Sequence, residues 1–468
     1  RWALVAGPLT AILVGLAAAF AAGLPAEAAW TAAITALCAI WWITEPIPVP
    51  VTSLLPFALL PLTGVLDHKA VAGAYGHTLI LLLMGGFMLS VAVERAGAHR
   101  RMAVGMVRLV GERGPRGLVL GFMLATAASS MWISNTATTL MMLPVAAAVL
   151  EQATERSAAE ADRLRLPLLL GIAYAASIGG LGTPVGTPPN VVFMGVYKEV
   201  TGGSIGFAEW MATGIPVVLV LLPLTWAWLV RRLPRSGTPF TLPDPGAWTT
   251  RERRVLLIGA LTALAWVART EPFGGWTGLI GAEGVGDSTI ALIAVVGLAL
   301  IPAGPATGDG TRPRLLEWEQ ARRIPWGLLL LFGGGIAIAR AFQASGLADA
   351  TGQLLAEDLG IATWPAALMV GGIALAVTFL TEVTSNTATT TLLMPVLAAA
   401  GVAAGIDPAV LMVPATLSAS CAFMLPVATA PNAIVYGTGR VSTKDMAWNG
   451  AVLNMVGVVV ITTLTLLR

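Results

Sequence analysis

Apolar segments long enough to cross a lipid bilayer fill most of this chain and constrain its fold more than any other feature. A membrane-spanning helix needs about 20 predominantly apolar residues, and such runs recur from one end of the sequence to the other. Charged residues make up only 11% of the 468 residues, whereas soluble domains carry about 25%. The sequence therefore predicts an all-α polytopic membrane protein and argues against a soluble multi-domain enzyme.

The number of crossings follows from counting these runs. We predict eleven transmembrane helices, which lie within residues 3–24, 27–43, 47–66, 77–94, 166–197, 207–230, 254–270, 287–302, 325–339, 408–438 and 446–467. The first run is followed by Ala26 and Ala28, a weak signal-peptide cleavage pattern. We nevertheless expect this run to be a retained extra helix.

Two other apolar stretches, 115–150 and 362–400, do not fit a simple crossing. Each is too long for one span, short for two, and interrupted midway by a polar cluster. Non-helical backbone at membrane depth is tolerated only where protein or a water-filled cavity surrounds it. We therefore predict two re-entrant helical hairpins, each of which enters and leaves the membrane on the same side.

The distribution of basic residues supports this topology. With a cytoplasmic N-terminus and two re-entrant hairpins, 22 of the 27 lysine and arginine residues fall on the cytoplasmic side and five on the other. The positive-inside rule expects such an excess, and the split becomes more even if the first hairpin crosses fully. We therefore predict a multi-pass protein of the cytoplasmic (inner) membrane with its N-terminus inside and its C-terminus outside.

Three short sequences occur twice in the same order, which indicates a duplicated unit. SNTATTLMMLPV at 134–145 and SNTATTTLLMPV at 385–396 share eight of twelve positions at a spacing of 251 residues. GTPPNVVFMG at 186–195 and ATAPNAIVYG at 428–437 share four of ten, and LLLMGG and LLLFGG form a weaker pair before them. The distribution of basic residues places the entrance of one hairpin on the cytoplasmic side and that of the other on the outer side. We therefore predict an inverted repeat, the architecture of many secondary transporters.

The repeat divides the chain into three predicted parts. Residues 1–26 form the extra N-terminal transmembrane helix. Residues 27–253 form the first inverted repeat, which contains the cytoplasmic-side hairpin. Residues 254–468 form the second inverted repeat, which contains the outside-facing hairpin.

The Ser-Asn-Thr clusters at the hairpin tips, 134–136 and 385–387, offer chemistry for binding ions. Hydroxyl oxygens, amide groups and unpaired backbone groups meet there. Helix N-termini attract anions, and unwound carbonyls suit cations such as sodium. A single Ser or Thr in a membrane helix more often serves helix packing, but two matched clusters at hairpin tips favour a binding site.

The sequences GTPPN at 186–190 and ATAPN at 428–432 would complete the two sites. Proline cannot donate a backbone N–H and breaks the helix, which makes the nearby carbonyls of Gly186 and Ala428 available to a cation. Neither the tips nor the breaks contain Lys, Arg or His. We therefore expect a carboxylate substrate to meet hydroxyls, amides, helix ends and bound cations rather than fixed basic side chains. Desolvating a dianion in this low-dielectric region is costly, and we expect bound cations to lower that cost.

Other polar residues receive less specific predictions. Glu382 is an acid at membrane depth, and a proton carrier and a structural hydrogen bond are equally weighted alternatives for it. Glu45 is expected at a short cytoplasmic turn. Segments 95–110 and 340–358 mix charged with apolar residues, and we predict amphipathic helices along the membrane interface that join a moving hairpin unit to a fixed frame.

The paired Ser-Asn-Thr hairpins, each followed by a Thr-x-Pro-Asn break, resemble the divalent anion/sodium symporter family of citrate, dicarboxylate and sulfate carriers. The resemblance covers nearly the whole chain. It implies a homodimer of eleven-helix protomers, each with a scaffold domain and a transport domain that moves by an elevator mechanism. It also implies sodium as the coupling ion, with no other cofactor.

The resemblance implies site residues position by position. The first sodium site would use Ser130, Ser134, Asn135 and Gly186. The second would use Thr381, Thr384, Asn386 and Ala428. The substrate carboxylates would meet Asn135, Thr136, Thr187, Pro188, Asn386, Thr387 and Thr429. Ala430 departs from the pattern, because the first repeat has proline there, and it puts the geometry of the second site in doubt.

The leading interpretation is sodium-driven import of a C4-dicarboxylate such as succinate, malate or fumarate. A sodium-independent dicarboxylate exchanger and a citrate or sulfate carrier of the same fold remain alternatives. An anion channel is disfavoured because channel filters are usually repeated by oligomer symmetry. An enzyme is disfavoured because the apolar segments lack a nucleophile–base set. The net charge of +2 indicates no nucleic-acid partner, and Cys38 and Cys421 indicate neither a disulfide framework nor a metal site.

Overall fold

Helices form the regular secondary structure of the part of the chain that the structure describes. The computed structural model describes residues 2–111, 114–235, 237, 240–242, 244, 246–270, 274–282, 284–305, 312–354 and 364–467. The helices of the first half are α1 (Trp2–Leu16, continued by a π-helical turn, Ala17–Ala21), α2 (Ala26–Thr44), α3 (Val49–Thr52), α4 (Leu55–Leu62), α5 (His68–Tyr75), α6 (Thr78–Ala96), α7 (Ala98–Gly111), α8 (Pro115–Ser130), α9 (Asn135–Arg156), α10 (Ala158–Gly180), α11 (Pro188–Thr201) and α12 (Phe207–Leu229). Those of the second half are α13 (Thr250–Val267), α14 (Gly275–Leu279), α15 (Asp287–Leu300), α16 (Trp318–Ala321), α17 (Trp326–Ala344), α18 (Leu347–Gln353), α19 (Ala366–Leu380), α20 (Asn386–Ala403), α21 (Ala409–Ala419), α22 (Ala430–Gly437) and α23 (Thr443–Leu466).

The helices are those of a membrane protein. Among the described residues, eight helical segments are long and apolar enough to cross a membrane: Trp2–Ala21, Ala26–Thr44, His68–Ala96, Asn135–Arg156, Phe207–Leu229, Trp326–Ala344, Asn386–Ala403 and Thr443–Leu466. The predicted all-α polytopic fold is confirmed. The count of eleven crossings stays a prediction, because several of the predicted crossings consist of shorter helices.

Two predicted crossings, 166–197 and 408–438, are each interrupted. The first consists of α10 and α11, which residues 181–187 separate, and the second consists of α21 and α22, which residues 420–429 separate. We call these unwound segments the first break and the second break. They begin several residues before the Thr-x-Pro-Asn sequences that predict them, because side chains bind the backbone groups that the helices leave unpaired.

The predicted crossing 47–66 is not one regular helix, and as a crossing it stays a prediction. Its residues form the short helices α3 and α4. Proline is favoured in the first turn of a helix and disfavoured inside one, and Pro50 and Pro56 each lie in the first turn of these helices. Glu45 ends α2 in the left-handed conformation, with φ of 46°, and its side chain is exposed, which fits the predicted turn.

Both long apolar stretches fold as helix–turn–helix hairpins. Residues 131–134 join α8 to α9, and residues 381–385 join α19 to α20. Ser134 is the N-cap of α9, since its hydroxyl accepts a hydrogen bond from the Ala137 N–H at 3.2 Å. The tips therefore lie at the two Ser-Asn-Thr clusters, while the second arm of the first hairpin extends to Arg156, beyond the predicted end at 150.

The two predicted interfacial helices have different outcomes. The segment 95–110 corresponds to α7 except at its start, because Arg95 and Ala96 still belong to α6. Its position along the membrane interface stays a prediction. The prediction for 340–358 is wrong at its start, because residues 340–344 belong to α17 and a glycine in the left-handed conformation, Gly346, separates them from the seven-residue α18. Residues 355–358 lie outside the described residues.

The N-terminal helix packs against its neighbour. The indole N–H of Trp41 on α2 donates a hydrogen bond to the carbonyl of Ala3 on α1 at 3.0 Å. A Cβ added to Gly7 would overlap the same indole ring. Glycine therefore permits the close approach of these two helices.

Two long helices, α12 and α23, pass against the two breaks at glycines. A Cβ added to Gly214 of α12 would overlap the carbonyl of Leu181 in the first break. A Cβ added to Gly450 of α23 would overlap the carbonyl of Phe423 in the second break. Leu181 and Phe423 are separated by 242 residues, the spacing of the two Thr-x-Pro-Asn sequences. Both halves of the chain therefore support their break in the same way.

Candidate functional site

A cavity of about 600 Å³ brings both hairpin tips and both breaks together. Its volume lies within the range of roughly 300–1,000 Å³ that is usual for small-molecule sites. Its wall includes eleven of the predicted tip and break positions, namely Ser134, Asn135, Thr136, Gly186, Thr187, Pro188, Ser385, Asn386, Thr387, Ala428 and Thr429. Residues that are about 250 positions apart in sequence therefore share one binding space.

Oxygen atoms cluster beneath the first tip. The hydroxyl of Ser130 lies 2.6 Å from the side-chain amide oxygen of Asn135 and 2.7 Å from the carbonyl of Ala176. A serine hydroxyl carries a single proton, so it can donate to only one of these two acceptors at a time. A cluster of three oxygens with one proton is suited to a small cation.

Gly180 keeps this cluster open towards the first break. A Cβ added to Gly180 would lie 2.9 Å from the side-chain oxygen of Asn135 and 3.1 Å from the carbonyl oxygen of Gly186. Both predicted ligands therefore face the same small space, which any side chain at position 180 would fill. The side-chain oxygen of Asn135 and the carbonyl oxygen of Gly186 therefore lie close together, as the predicted first cation site requires.

The second tip repeats this arrangement. The hydroxyl of Thr381 lies 2.7 Å from the side-chain oxygen of Asn386 and 3.0 Å from the carbonyl of Ala419. Ser130 and Thr381 are both fully buried, and 251 residues separate them. The structure therefore brings together the two predicted hydroxyl–asparagine pairs in the same geometry.

Thr384 is placed differently from the other predicted ligands. Its hydroxyl donates to the carbonyl of Leu380 at 2.7 Å and lies 2.6 Å from the hydroxyl of Thr389. These hydrogen bonds occupy it within the hairpin rather than with the Thr381–Asn386 pair. The physical reason is local, since a threonine hydroxyl readily bonds the carbonyl four residues earlier in a helix.

Two asparagines that the sequence analysis did not assign hold the breaks in shape. The side-chain amide of Asn190 donates to the carbonyls of Gly180 and Thr183 at 3.0 and 2.7 Å. That of Asn432 donates to the carbonyls of Ala422 and Leu425, each at 3.1 Å. All three pairs of equivalent positions are 242 residues apart. This equal spacing is the signal that could have revealed their role.

Four helices begin at the cavity. α9 and α20 start at the hairpin tips, and α11 and α22 start after the breaks. The first N–H groups of a helix lack acceptors within the helix, and the helix dipole places partial positive charge there. Pro188 and Pro189 begin α11 and Pro431 is the second residue of α22, so these two helices offer fewer N–H groups and act mainly through their dipoles. Four N-termini around one cavity form an environment suited to an anion with more than one carboxylate or sulfate oxygen.

The two breaks differ in detail and touch each other. The hydroxyl of Thr429 caps α22 by accepting the N–H of Asn432 at 3.2 Å. The equivalent hydroxyl of Thr187 instead lies 3.5 Å from that of Ser420 in the other half. Ala430 is the first residue of α22 and is exposed at the cavity.

The cavity wall contains two charged side chains that the sequence analysis did not place there, Arg323 and Glu94. The tips and breaks lack basic residues, as their sequence shows, but the expectation that no fixed basic side chain faces the substrate is wrong for the cavity as a whole. Arg323 precedes α17 and Glu94 lies near the end of α6, so only the packing of distant elements brings these residues to the site.

Glu382 makes structural hydrogen bonds, the second of the two roles considered for it. One carboxylate oxygen accepts the N–H of Met424 and the side-chain amide of Asn454, and the other accepts the N–H of Leu425. The side chain is 3% exposed. The side chain of Glu382 therefore binds the second break. It is not among the described residues that line the cavity.

Comparison with known proteins defines the class to which this fold and site belong. The sodium:sulfate symporter transmembrane region matches residues 1–467, and the chain therefore belongs to this family of membrane transporters, the divalent anion/sodium symporters. The family resemblance is confirmed, and with it the expectation that the protein is a transporter and not an enzyme.

Individual relatives cover most of the chain. The sodium-dependent dicarboxylate transporter SdcS of Staphylococcus saprophyticus is 41% identical over 92% of this chain and 84% of its own length. The SdcS protein of Staphylococcus aureus is 40% identical over 98% of this chain and 89% of its own length. The solved structure of the YdaH transporter of Alcanivorax borkumensis covers 92% of this chain and 97% of its own with a TM-score of 0.59 at 17% identity, which shows a shared fold.

Proposed function

We propose that this protein imports C4-dicarboxylates such as succinate, malate and fumarate together with sodium ions. One observation carries the proposal: a single cavity joins four helix N-termini to two hydroxyl–asparagine oxygen clusters. The N-termini favour the carboxylates, and the oxygen clusters favour the cations. The names of the similar SdcS transporters, which specify sodium and dicarboxylates, support this assignment.

The proposed sodium sites use the oxygens that the hairpins and breaks present. The first would use Ser130, Ser134, Asn135 and the carbonyl of Gly186. The second would use Thr381, Asn386 and the carbonyl of Ala428, with Thr384 joining only if its hydroxyl leaves its present partners. The substrate would contact Asn135, Thr136, Thr187, Pro188, Asn386, Thr387 and Thr429 at the cavity wall.

The charges at the site explain why transport of the dicarboxylate is coupled to transport of sodium. Removing a dicarboxylate from water costs several kcal/mol or more unless opposite charge replaces the lost hydration. The tips and breaks supply hydroxyls, amides and helix ends but no basic side chain. Two bound sodium ions would supply two positive charges next to the dianion, so that the filled site is nearly neutral.

Topology and movement form the next part of the proposal. The matched contacts of the two hairpins and two breaks support a duplication, and the 22 to 5 split of basic residues supports its inversion in an inner membrane with the N-terminus inside. The hairpins and breaks would move together as a transport domain against a scaffold domain in a homodimer, which is the elevator mechanism.

Uptake of labelled succinate into proteoliposomes tests the substrate class. We expect malate and fumarate to compete strongly and citrate and sulfate weakly. Stronger competition by citrate or by sulfate would assign the protein to one of those substrates instead. Uptake that requires internal dicarboxylate and ignores sodium would show the exchanger alternative to be right.

A further inference from the structure

The carboxylate of Glu382 joins the second hairpin to the second break. One oxygen accepts the N–H of Met424 at 2.9 Å and the side-chain amide of Asn454 at 2.7 Å, and the other accepts the N–H of Leu425 at 2.9 Å. Burying a carboxylate is costly unless donors replace its hydration, and hydrogen bonds to a charged acceptor are the strong ones. The two oxygens of the carboxylate thus hold two consecutive backbone N–H groups of the break and one side-chain amide at once.

The first half makes the same connection without an acid. Met131 precedes Glu382 by the 251-residue spacing of the tips, and Thr183 precedes Leu425 by the 242-residue spacing of the breaks. The hydroxyl of Thr183 donates to the carbonyl of Met131. Both halves therefore tie hairpin to break at equivalent positions, the first through a neutral hydroxyl and the second through a buried carboxylate.

Leu425 links this carboxylate to a proposed sodium ligand. Its N–H is held by Glu382, and its carbonyl accepts the N–H of Ala428 at 3.2 Å and the amide of Asn432 at 3.1 Å. Ala428 lines the cavity together with Asn386. Removing the carboxylate would release the N–H of Leu425. Ala428, which is hydrogen-bonded to the carbonyl of Leu425, could then move.

We propose that Glu382 is a positioning residue for the second sodium site, which fixes the second break so that the carbonyl of Ala428 faces the Thr381–Asn386 oxygens. The inference rests on the proposed sodium-coupled function. It makes the two sodium sites unequal, because a charged anchor supports the second and a neutral one the first. In this proposal Glu382 neither binds the substrate nor carries a proton across the membrane.

Transport kinetics provide the first test. In Glu382→Gln the amide N–H₂ group replaces one carboxylate oxygen and faces an N–H donor. The second break therefore loses at least one of its hydrogen bonds to residue 382. We expect the sodium concentration for half-maximal succinate uptake to rise at least fivefold, while the KM for succinate at saturating sodium stays within twofold. Glu382→Asp keeps the carboxylate and should recover most of the lost sodium affinity. An unchanged sodium dependence in Glu382→Gln overturns the proposal.

The two native cysteines provide a test that does not depend on transport. Cys421 lies in the second break and Cys38 on α2, and both are fully buried. We expect Glu382→Gln in detergent and sodium-free buffer to be alkylated by a maleimide at Cys421 several times faster than the parent protein, with Cys38 still protected. Thr183→Val, which removes the equivalent anchor of the first half, should leave Cys421 protected.

The outcomes of this labelling separate the alternatives. Equal acceleration at both cysteines means a general folding role for Glu382 and contradicts the proposal, as does no acceleration at Cys421. If Glu382→Gln does not fold, Asn454→Ala removes a donor to the same carboxylate and an acceptor for the N–H of Phe423, and the same pattern is expected. Sodium-independent uptake by the parent protein would defeat the proposed function alone, since the labelling in sodium-free buffer still reports on the anchor.

Discussion

The hydroxyl of Tyr174 on α10 donates a hydrogen bond to the carbonyl of Phe423 in the second break at 2.9 Å. A helix of the first half thus supports the break of the second half, and the two aromatic rings also pack with their centres 5.0 Å apart. Together with the contact between Thr187 and Ser420, this hydrogen bond joins the two halves of the chain at the second break.

Tyr174→Phe removes this hydrogen bond and keeps the ring. A buried carbonyl that loses its donor costs about 1–3 kcal/mol, so we expect a lower Tm for the purified protein. Tyr436→Phe is the matched control, because that side chain is 41% exposed on α22. Equal melting temperatures for the two variants would show that the cross-half hydrogen bond adds no stability.

Asn135→Ala and Asn386→Ala each remove an oxygen that is shared between a sodium site and the substrate site. Hydrogen bonds and contacts to charged groups contribute about 1.5–3 kcal/mol. We therefore expect each variant to lose roughly tenfold or more in sodium activation and in succinate affinity together. Initial rates measured over a matrix of sodium and succinate concentrations check this, and unchanged uptake in both variants contradicts the site assignment.

Gly180→Ala should close the space between Asn135 and Gly186. The added methyl group would lie 2.9 Å from one oxygen and 3.1 Å from the other, and forcing extra volume into a packed site costs about 1–3 kcal/mol. We expect the sodium concentration for half-maximal uptake to rise about tenfold. Gly259→Ala on α13 is the control, since a Cβ there meets nothing within 4 Å, and an equal response of both variants would argue against a cation at this position.

Arg323→Gln tests whether the basic side chain in the cavity wall attracts the substrate. Exposed charges act at a distance and are screened by salt. We expect the KM for succinate to rise about three- to tenfold at low ionic strength and to approach the parent value in high salt. Arg322→Gln is the neighbouring control, because Arg322 pairs with Glu319 at 2.6 Å outside the cavity, and it should have little effect.

The sequence predicts the parts of the site that are repeated within the chain. The identical SNTATT segments locate both hairpin tips, and the Thr-x-Pro-Asn sequences locate the start of α11 and of α22. Hydroxyls one helical turn before the tips, Ser130 and Thr381, lie against the tip asparagines as their spacing indicates. Apolar run length likewise predicts an all-helical membrane fold.

Packing between distant elements could not be predicted in the same way. Arg323 reaches the cavity only because the segment before α17 packs near both tips. The partners of Glu382 lie 42, 43 and 72 residues away in sequence. Helix bounds also depend on such contacts, since the breaks are longer than their prolines require. The division of 47–66 is local instead, because Pro50 and Pro56 lie in the first turns of α3 and α4.

Accumulation of succinate by purified protein in proteoliposomes is the decisive measurement for sodium-coupled dicarboxylate transport. With equal succinate on both sides and sodium only outside, we expect labelled succinate to become concentrated inside, and we expect replacement of sodium with potassium to abolish this accumulation. Equal succinate concentrations on both sides at all times, whatever the sodium gradient, would contradict sodium-coupled dicarboxylate transport.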